Sequence, residues 1–159
     1  MKKSEEKTNA VRLLEQKKLD FKLYTYESEG AISGTEVACK LGLDPNKVFK
    51  TLVTVGKSNN HYVFVVPVNK ELDLKKAANC VNEKNIAMIK SKELLDLTGY
   101  IHGGCSPIGM KKFFRTTFDV SANNYENIVF SGGRIGLQIQ ISLKELSKII
   151  EFKTEDISE

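Results

Sequence analysis

Lys50-Thr51-Leu52-Val53-Thr54-Val55 and Tyr62-Val63-Phe64-Val65-Val66-Pro67, separated by Gly56-Lys57-Ser58-Asn59-Asn60, decide the fold class of this chain. Both runs are dense in β-branched and aromatic residues, and the segment between them is rich in turn formers, so they predict a β-hairpin. Working outward toward the N-terminus, Ser33-Gly34-Thr35-Glu36 has the form of a capping box opening a helix that ends at Leu41-Gly42. Asp44 and Pro45 then suit the cap and first position of a further helical turn. Phe21 to Tyr26 alternates as a strand, and residues 4–18 carry Ala10, Val11, Leu13 and Leu14 among charges, which predicts an amphipathic helix with Ser4 as N-cap.

Toward the C-terminus, Leu72 to Ala78 reads as a helix, Ile86 to Ile89 as a short strand, and Ser91 to Leu97 as a helix ending at Gly99. Thr116 to Val120, Asn127 to Phe130 and Ile135 to Ile141 are strand-like. Ser142-Leu143-Lys144-Glu145 is a second capping box, opening a helix that runs to about Ile150. Strands and helices alternate without a regular βαβ rhythm, so the expected class is α+β: a single domain with a mixed, barrel-like sheet flanked by helices. A single unit spanning 1–159 is expected, with 1–6 and 152–159 as loosely ordered tails.

The composition agrees with one ordinary globular core, at 159 residues with 41% hydrophobic and 28% charged content. No segment approaches the roughly 20 apolar residues needed to cross a bilayer, and the charged start lacks a signal-peptide pattern, so a cytosolic location away from membranes is expected. Cys39, Cys80 and Cys105 are far apart, and with only His61 and His102 beside them the spacing of a metal site is missing. Neither a metal nor a cofactor is therefore expected. A formal charge of +4 is compatible with an anionic partner, through Lys111, Lys112, Arg115 and Arg134, but a DNA-reading motif is lacking.

Seven of the eleven glycines fall between Gly99 and Gly136, which points to main chain that turns with positive φ or approaches something closely. They form two segments, Gly103-Gly104-Cys105-Ser106-Pro107-Ile108-Gly109 and Ser131-Gly132-Gly133-Arg134-Ile135-Gly136. Neither has the spacing of a nucleotide-binding loop. Cys105 beside His102 suggests a nucleophile, but free cysteine is more often a small buried hydrophobe, and nothing local aims the imidazole at the sulfur. Ser106 before Pro107 is biased to extended backbone and could turn glycine N–H groups into a pocket, or simply form a tight turn. Lys50, at the start of its strand, could be a point charge for a phosphate or a developing oxyanion.

Taken together, Lys7-Thr8-Asn9-Ala10-Val11-Arg12-Leu13-Leu14, Tyr24-Thr25-Tyr26, Val48-Phe49-Lys50-Thr51-Leu52, Leu72-Asp73-Leu74-Lys75-Lys76, Thr98-Gly99-Tyr100, the Gly103–Gly109 segment and Ser131-Gly132-Gly133 resemble the YbaK family in order and spacing. This is the family of Cys-tRNA(Pro) deacylases related to the editing domain of bacterial prolyl-tRNA synthetases. The resemblance implies an enzyme acting on the 3′ end of aminoacylated tRNA, in transient complex with prolyl-tRNA synthetase, without a cofactor. It places the family's essential lysine on Lys50, its pocket tyrosine on Tyr26, its glycine-loop backbone contacts on Gly103, and its pocket serine on Ser131; beside these, Gly104 is read as a catalytic main-chain contact and Ser106, Gly132, Gly133 and Gln138 as substrate-binding.

The chemistry implied is substrate-assisted: the cysteinyl thiol attacks its own ester carbonyl, releasing a thiolactone and free tRNA, so the protein supplies position and charge. Gln138 stands where an acidic residue is usual, Arg134-Ile135 where a basic pair is common, and Cys105 where the family is aliphatic. Two rival readings follow: an Ala-tRNA(Pro) deacylase using an activated water, and a non-catalytic module that binds charged tRNA or a synthetase.

Overall fold

The computed structural model describes residues 7–159. Its centre is the second arm of the hairpin. Strands β2 (Phe49–Gly56) and β3 (His61–Pro67) pair antiparallel, and with β4 (Ile86–Met88), β5 (Arg115–Asp119) and β8 (Lys153–Glu155) they form a five-stranded mixed sheet in the order β4-β2-β3-β5-β8. In β3, Val63 and Val65 face one hydrophobic cluster while Tyr62, Phe64 and Val66 face another, which is why this run is apolar at successive positions rather than alternating. A second, antiparallel sheet has the order β1-β7-β6, from Lys22–Thr25, Leu137–Ile141 and Ile128–Ser131. The two sheets meet at a parallel bridge between Val48 and Val129, where Val129 N–H donates to Lys47 O at 2.9 Å.

The principal core lies between the sheets: Ile128, Phe130, Leu137, Ile139 and Ile141 pack on Phe49, Val53, Val63, Val65 and Phe118. Helix α1 (Asn9–Gln16) adds Ala10, Val11 and Leu14 to it. On the far face of the larger sheet, α3 (Leu74–Cys80) packs Ala77 and Ala78 against Phe64 and Val66. Helix α2 (Gly34–Leu41) covers the junction of the sheets, with Ala38 against Val48, Val68 and Val129. Helix α4 (Ser91–Thr98) and the short α5 (Leu143–Leu146) complete the domain.

Local chemistry explains where elements stop. The Ser33–Glu36 capping box forms in both directions, and Gly42 ends α2 in the left-handed conformation at φ 68°. The second box forms only in part: Ser142 Oγ accepts from Glu145 N–H, but the Glu145 carboxylate instead accepts from Asp20 N–H at 2.9 Å, tying α5 to the start of β1. That helix ends at Leu146, four residues short of the predicted Ile150. Helix α1 starts later than predicted, with Thr8 as its cap; Ser4 lies outside the described residues.

Residues 152–159, expected as a loosely ordered tail, are instead paired and packed. β8 pairs parallel with β5, Ile157 is fully buried against the α3 cluster, and Glu159 exchanges backbone hydrogen bonds with Glu71. Asp119 organises this segment. Burial opposes its charge, but hydrogen bonds from Ser121 and from Ile157 N–H outweigh burial and hold its carboxyl below the usual carboxylate range.

Candidate active site

The register of β2 is lopsided, and the cavity sits on its open side. Even-numbered residues of β2 bond β3, as Val68 N–H to Val48 O and Gly56 N–H to Asn60 O show at the two ends. In an antiparallel pair only alternate residues bond a given neighbour, so the odd-numbered residues present N–H and C=O to the other edge. There Lys47 O bonds Val129, while Val53 O and Lys57 N–H bond Ile89 and Asn85 on the β4 side. Between them no further bridge forms among the described residues: β6 meets this edge at Val48–Val129, which engages Phe49 N–H, and the residue that would face Thr51, Ser91, already opens α4.

A cavity of about 220 Å³ occupies this gap. Its walls come from the α2 side (Ile32, Ser33, Gly34, Val37), from Val48 to Leu52 of β2, and from Val68, Leu94, His102, Gly103, Cys105, Ser131 and Gln138. Four of the residues proposed from sequence, Lys50, Gly103, Ser131 and Gln138, are thus brought together from separate stretches of chain. Ser131 and Gln138 are directly opposed across β6 and β7. Lys50, on the face of β2 that also carries Val48 and Leu52, lies with Nζ 3.4 Å from Glu71 Oε2. The Glu71 side chain is 78% exposed, so the pair is worth less than about 1 kcal/mol and an incoming anion can replace it.

The remaining candidates lie elsewhere. Tyr26 lines an adjoining surface cleft with Glu27, Lys40 and Ile135, because its N–H donates to Gly136 O and carries the chain past the β1 edge. Ser106 is fully buried, its Oγ serving Ile108 N–H at 3.5 Å. Gly104 donates its N–H to Ile101 O, and a Cβ there would meet Arg134 Cα at 2.8 Å. Gly132 closes its hairpin on Leu137 O and accepts from the Thr8 hydroxyl. A Cβ on Gly133, at φ 105°, would strike Thr8 and Tyr100. The two glycine segments therefore pack against each other, forming one wall rather than two, and among their glycines only Gly103 lines the cavity.

Cys105 and His102 both line the cavity. Burial pushes the Cys105 thiol up to about 12, with a hydrogen bond involving Thr98 only partly offsetting it, so it stays protonated and unreactive at neutral pH. His102 is exposed at the rim. Ser33 Oγ is committed to capping α2. Thr51 was not singled out from sequence, yet its Oγ1 is the buried side-chain polar atom that has no hydrogen-bond partner among the described residues. Leaving such a hydroxyl unpaired costs on the order of 1–3 kcal/mol, so a water or a ligand group in the cavity would satisfy it. No cluster of three or more metal-ligating side chains occurs among the described residues, and none of their helices is long and apolar enough to cross a membrane.

Comparison with known proteins gives this geometry a family. A profile of the aminoacyl-tRNA editing domain matches residues 29–149. Over 142 residues, 89% of this chain and 87% of the relative, the sequence is 46% identical to EbsC of Enterococcus faecalis, to which deacylation of Cys-tRNA(Pro) and Cys-tRNA(Cys) is ascribed. It is 29% identical over 97 residues to the proline–tRNA ligase of Fervidobacterium nodosum, of which that stretch is 17%. A crystal structure described as a trans-editing enzyme for prolyl tRNA synthetase superposes with a TM-score of 0.81 at 25% identity, covering 95% of this chain and 97% of that one.

Proposed function

The chain belongs to the aminoacyl-tRNA editing domain family, and we propose that it is a deacylase removing cysteine from mischarged Cys-tRNA(Pro) by attack of the substrate's own thiol. The observation that supports this best is the burial of Cys105: the thiol already in the cavity is walled in and held protonated, which argues against a protein thiol as the nucleophile. In the reaction the cysteinyl sulfur bonds to its own carbonyl carbon, the ester C–O bond breaks, and the ribose oxygen leaves with the proton that the thiol gave up. A thiolactone and uncharged tRNA result.

The protein's share is placement and charge. Lys50 balances the terminal phosphate or the developing oxyanion, and the apolar walls from Val37, Phe49 and Leu94 exclude water that would compete with the sulfur. Alanyl and prolyl esters lack the thiol and stay intact. The reading also supposes that prolyl-tRNA synthetase hands over the tRNA in the cytosol, in keeping with the likeness to proline–tRNA ligase.

One observation favours a second reading: His102 at the rim could serve as general base for a water, giving hydrolysis of alanyl esters. The two separate when Cys-, Ala- and Pro-charged tRNA(Pro) are each incubated with the protein and with Lys50→Ala. Loss of the cysteinyl ester alone, abolished by Lys50→Ala, supports the first. Loss of the alanyl ester, with a rate following a base that must be neutral, supports the second.

A further inference from the structure

We propose that the aminoacyl group is held as a one-residue β-strand on the open edge of β2, its amino group donating to Thr51 C=O and its ester carbonyl accepting from Thr51 N–H. The inference deepens the deacylase reading and rests on it, since the ligand is an aminoacyl ester.

Four observations converge on this position. The bonding parity of β2 turns the N–H and C=O of Thr51 away from β3. No β-bridge pairs Thr51 on that side among the described residues, because β6 bridges this edge at Val48–Val129 and Ser91 opens α4. The gap so left is the cavity containing Lys50, Ser131 and Gln138. Thr51 also carries the unpartnered Oγ1. An exposed strand edge is a template for another strand, and a bonded antiparallel pair needs from its partner one donor and one acceptor on the same side of one residue.

An aminoacyl ester offers that pattern. Its ammonium stands where a strand's N–H would be and its carbonyl where the C=O would be. The arrangement gives the ammonium an acceptor in a cavity whose lining holds Gln138 and no carboxylate: the main-chain carbonyl of Thr51. It also supplies the carbonyl with an N–H donor that Gly104 cannot give, its own being bonded to Ile101.

The test uses the whole protein and cysteinyl-tRNA(Pro), alongside the same tRNA carrying the 2-hydroxy-3-mercaptopropanoyl ester, in which a hydroxyl replaces the ammonium. Thr51→Pro removes the N–H while sparing the β3 ladder, because that N–H points away from β3. Thr51→Val removes only Oγ1. The expected result is a loss in kcat/KM of about 100-fold or more for Thr51→Pro with its fold intact by circular dichroism, and of no more than about 10-fold for Thr51→Val. Wild type should cleave the hydroxy ester at least about 10-fold less efficiently, through KM, and this preference should persist in Gln138→Leu.

Folded Thr51→Pro working within about 3-fold of wild type, equal cleavage of the two esters, or a preference that vanishes in Gln138→Leu would each overturn the inference. If Thr51→Pro does not fold, the two esters and Gln138→Leu decide. A wild-type protein that cleaves no aminoacyl ester at all refutes the deacylase reading instead.

Discussion

The two halves of β2 share one strand, one alternation and similar residues, yet they differ in what lies beside them. Val53 to Gly56 is bonded on both edges, by β3 and by β4, whereas Lys50 to Leu52 pairs with β3 and forms no bridge on the other side among the described residues. The closed half holds the sheet together; the open half carries Lys50 and Thr51 and lines the cavity. The difference comes from the neighbours: β6 is short and α4 starts early, so the site is made where pairing stops.

The sharpest way to break this comparison is to put the same residue in both halves. Val55→Pro removes an N–H that pairs with Ala87 of β4 and should cost about 3 kcal/mol or more, whereas Thr51→Pro, four residues away, should cost no more than about 1 kcal/mol; urea unfolding compares them. Equal losses would mean that the open edge is not open. Next in size, Lys50→Ala should lower kcat/KM about 100-fold, or about 2.7 kcal/mol in the transition state, while changing stability by less than about 1 kcal/mol. Steady-state kinetics with a parallel thermal melt measure both.

Asp119→Asn probes a region far from the open edge and should cost about 2 kcal/mol, since a charged acceptor of several hydrogen bonds is lost. The pH dependence has a definite sign. Because the folded-state carboxyl titrates below its ordinary value, its stabilisation is present above the unfolded pKa and disappears as pH falls through the folded one. Acid unfolding of Asp119→Asn should therefore be less steep than that of wild type below about pH 4. A smaller effect is expected for Cys105→Ala: about 1 kcal/mol of packing, and turnover within about 3-fold of wild type. Collapse of turnover in a folded Cys105→Ala protein would install a protein thiol as the nucleophile. Smallest of all, Glu71→Gln should raise affinity for the substrate by about 2-fold or less, by freeing Lys50 from an exposed pair.

How legible this was from the residues varied with the kind of signal. The hairpin, the α2 capping box and the glycine ends of α2 and α4 are written in local chemistry, and they form as predicted. β8 is not, because Lys153-Thr154-Glu155 has no apolar period and its place depends on the distant acceptor Asp119. In the site, Lys50, Gly103, Ser131 and Gln138 could be named from the resemblance. The positions of Tyr26 and Ser106 were not legible, since nothing local shows that one lines a different cleft and the other is buried. Thr51 was invisible, because a threonine in a strand is unremarkable until the strand is seen to lack a neighbour.

The central claim, that the reacting thiol belongs to the substrate, is tested most directly by identifying the first product. Cysteinyl-tRNA(Pro) is mixed with excess protein and quenched within a single turnover, and the released cysteine species is weighed by mass spectrometry. The account predicts a thiolactone, lighter than cysteine by one water, formed before free cysteine. Free cysteine from the outset, with alanyl-tRNA(Pro) cleaved at a comparable rate, would contradict it.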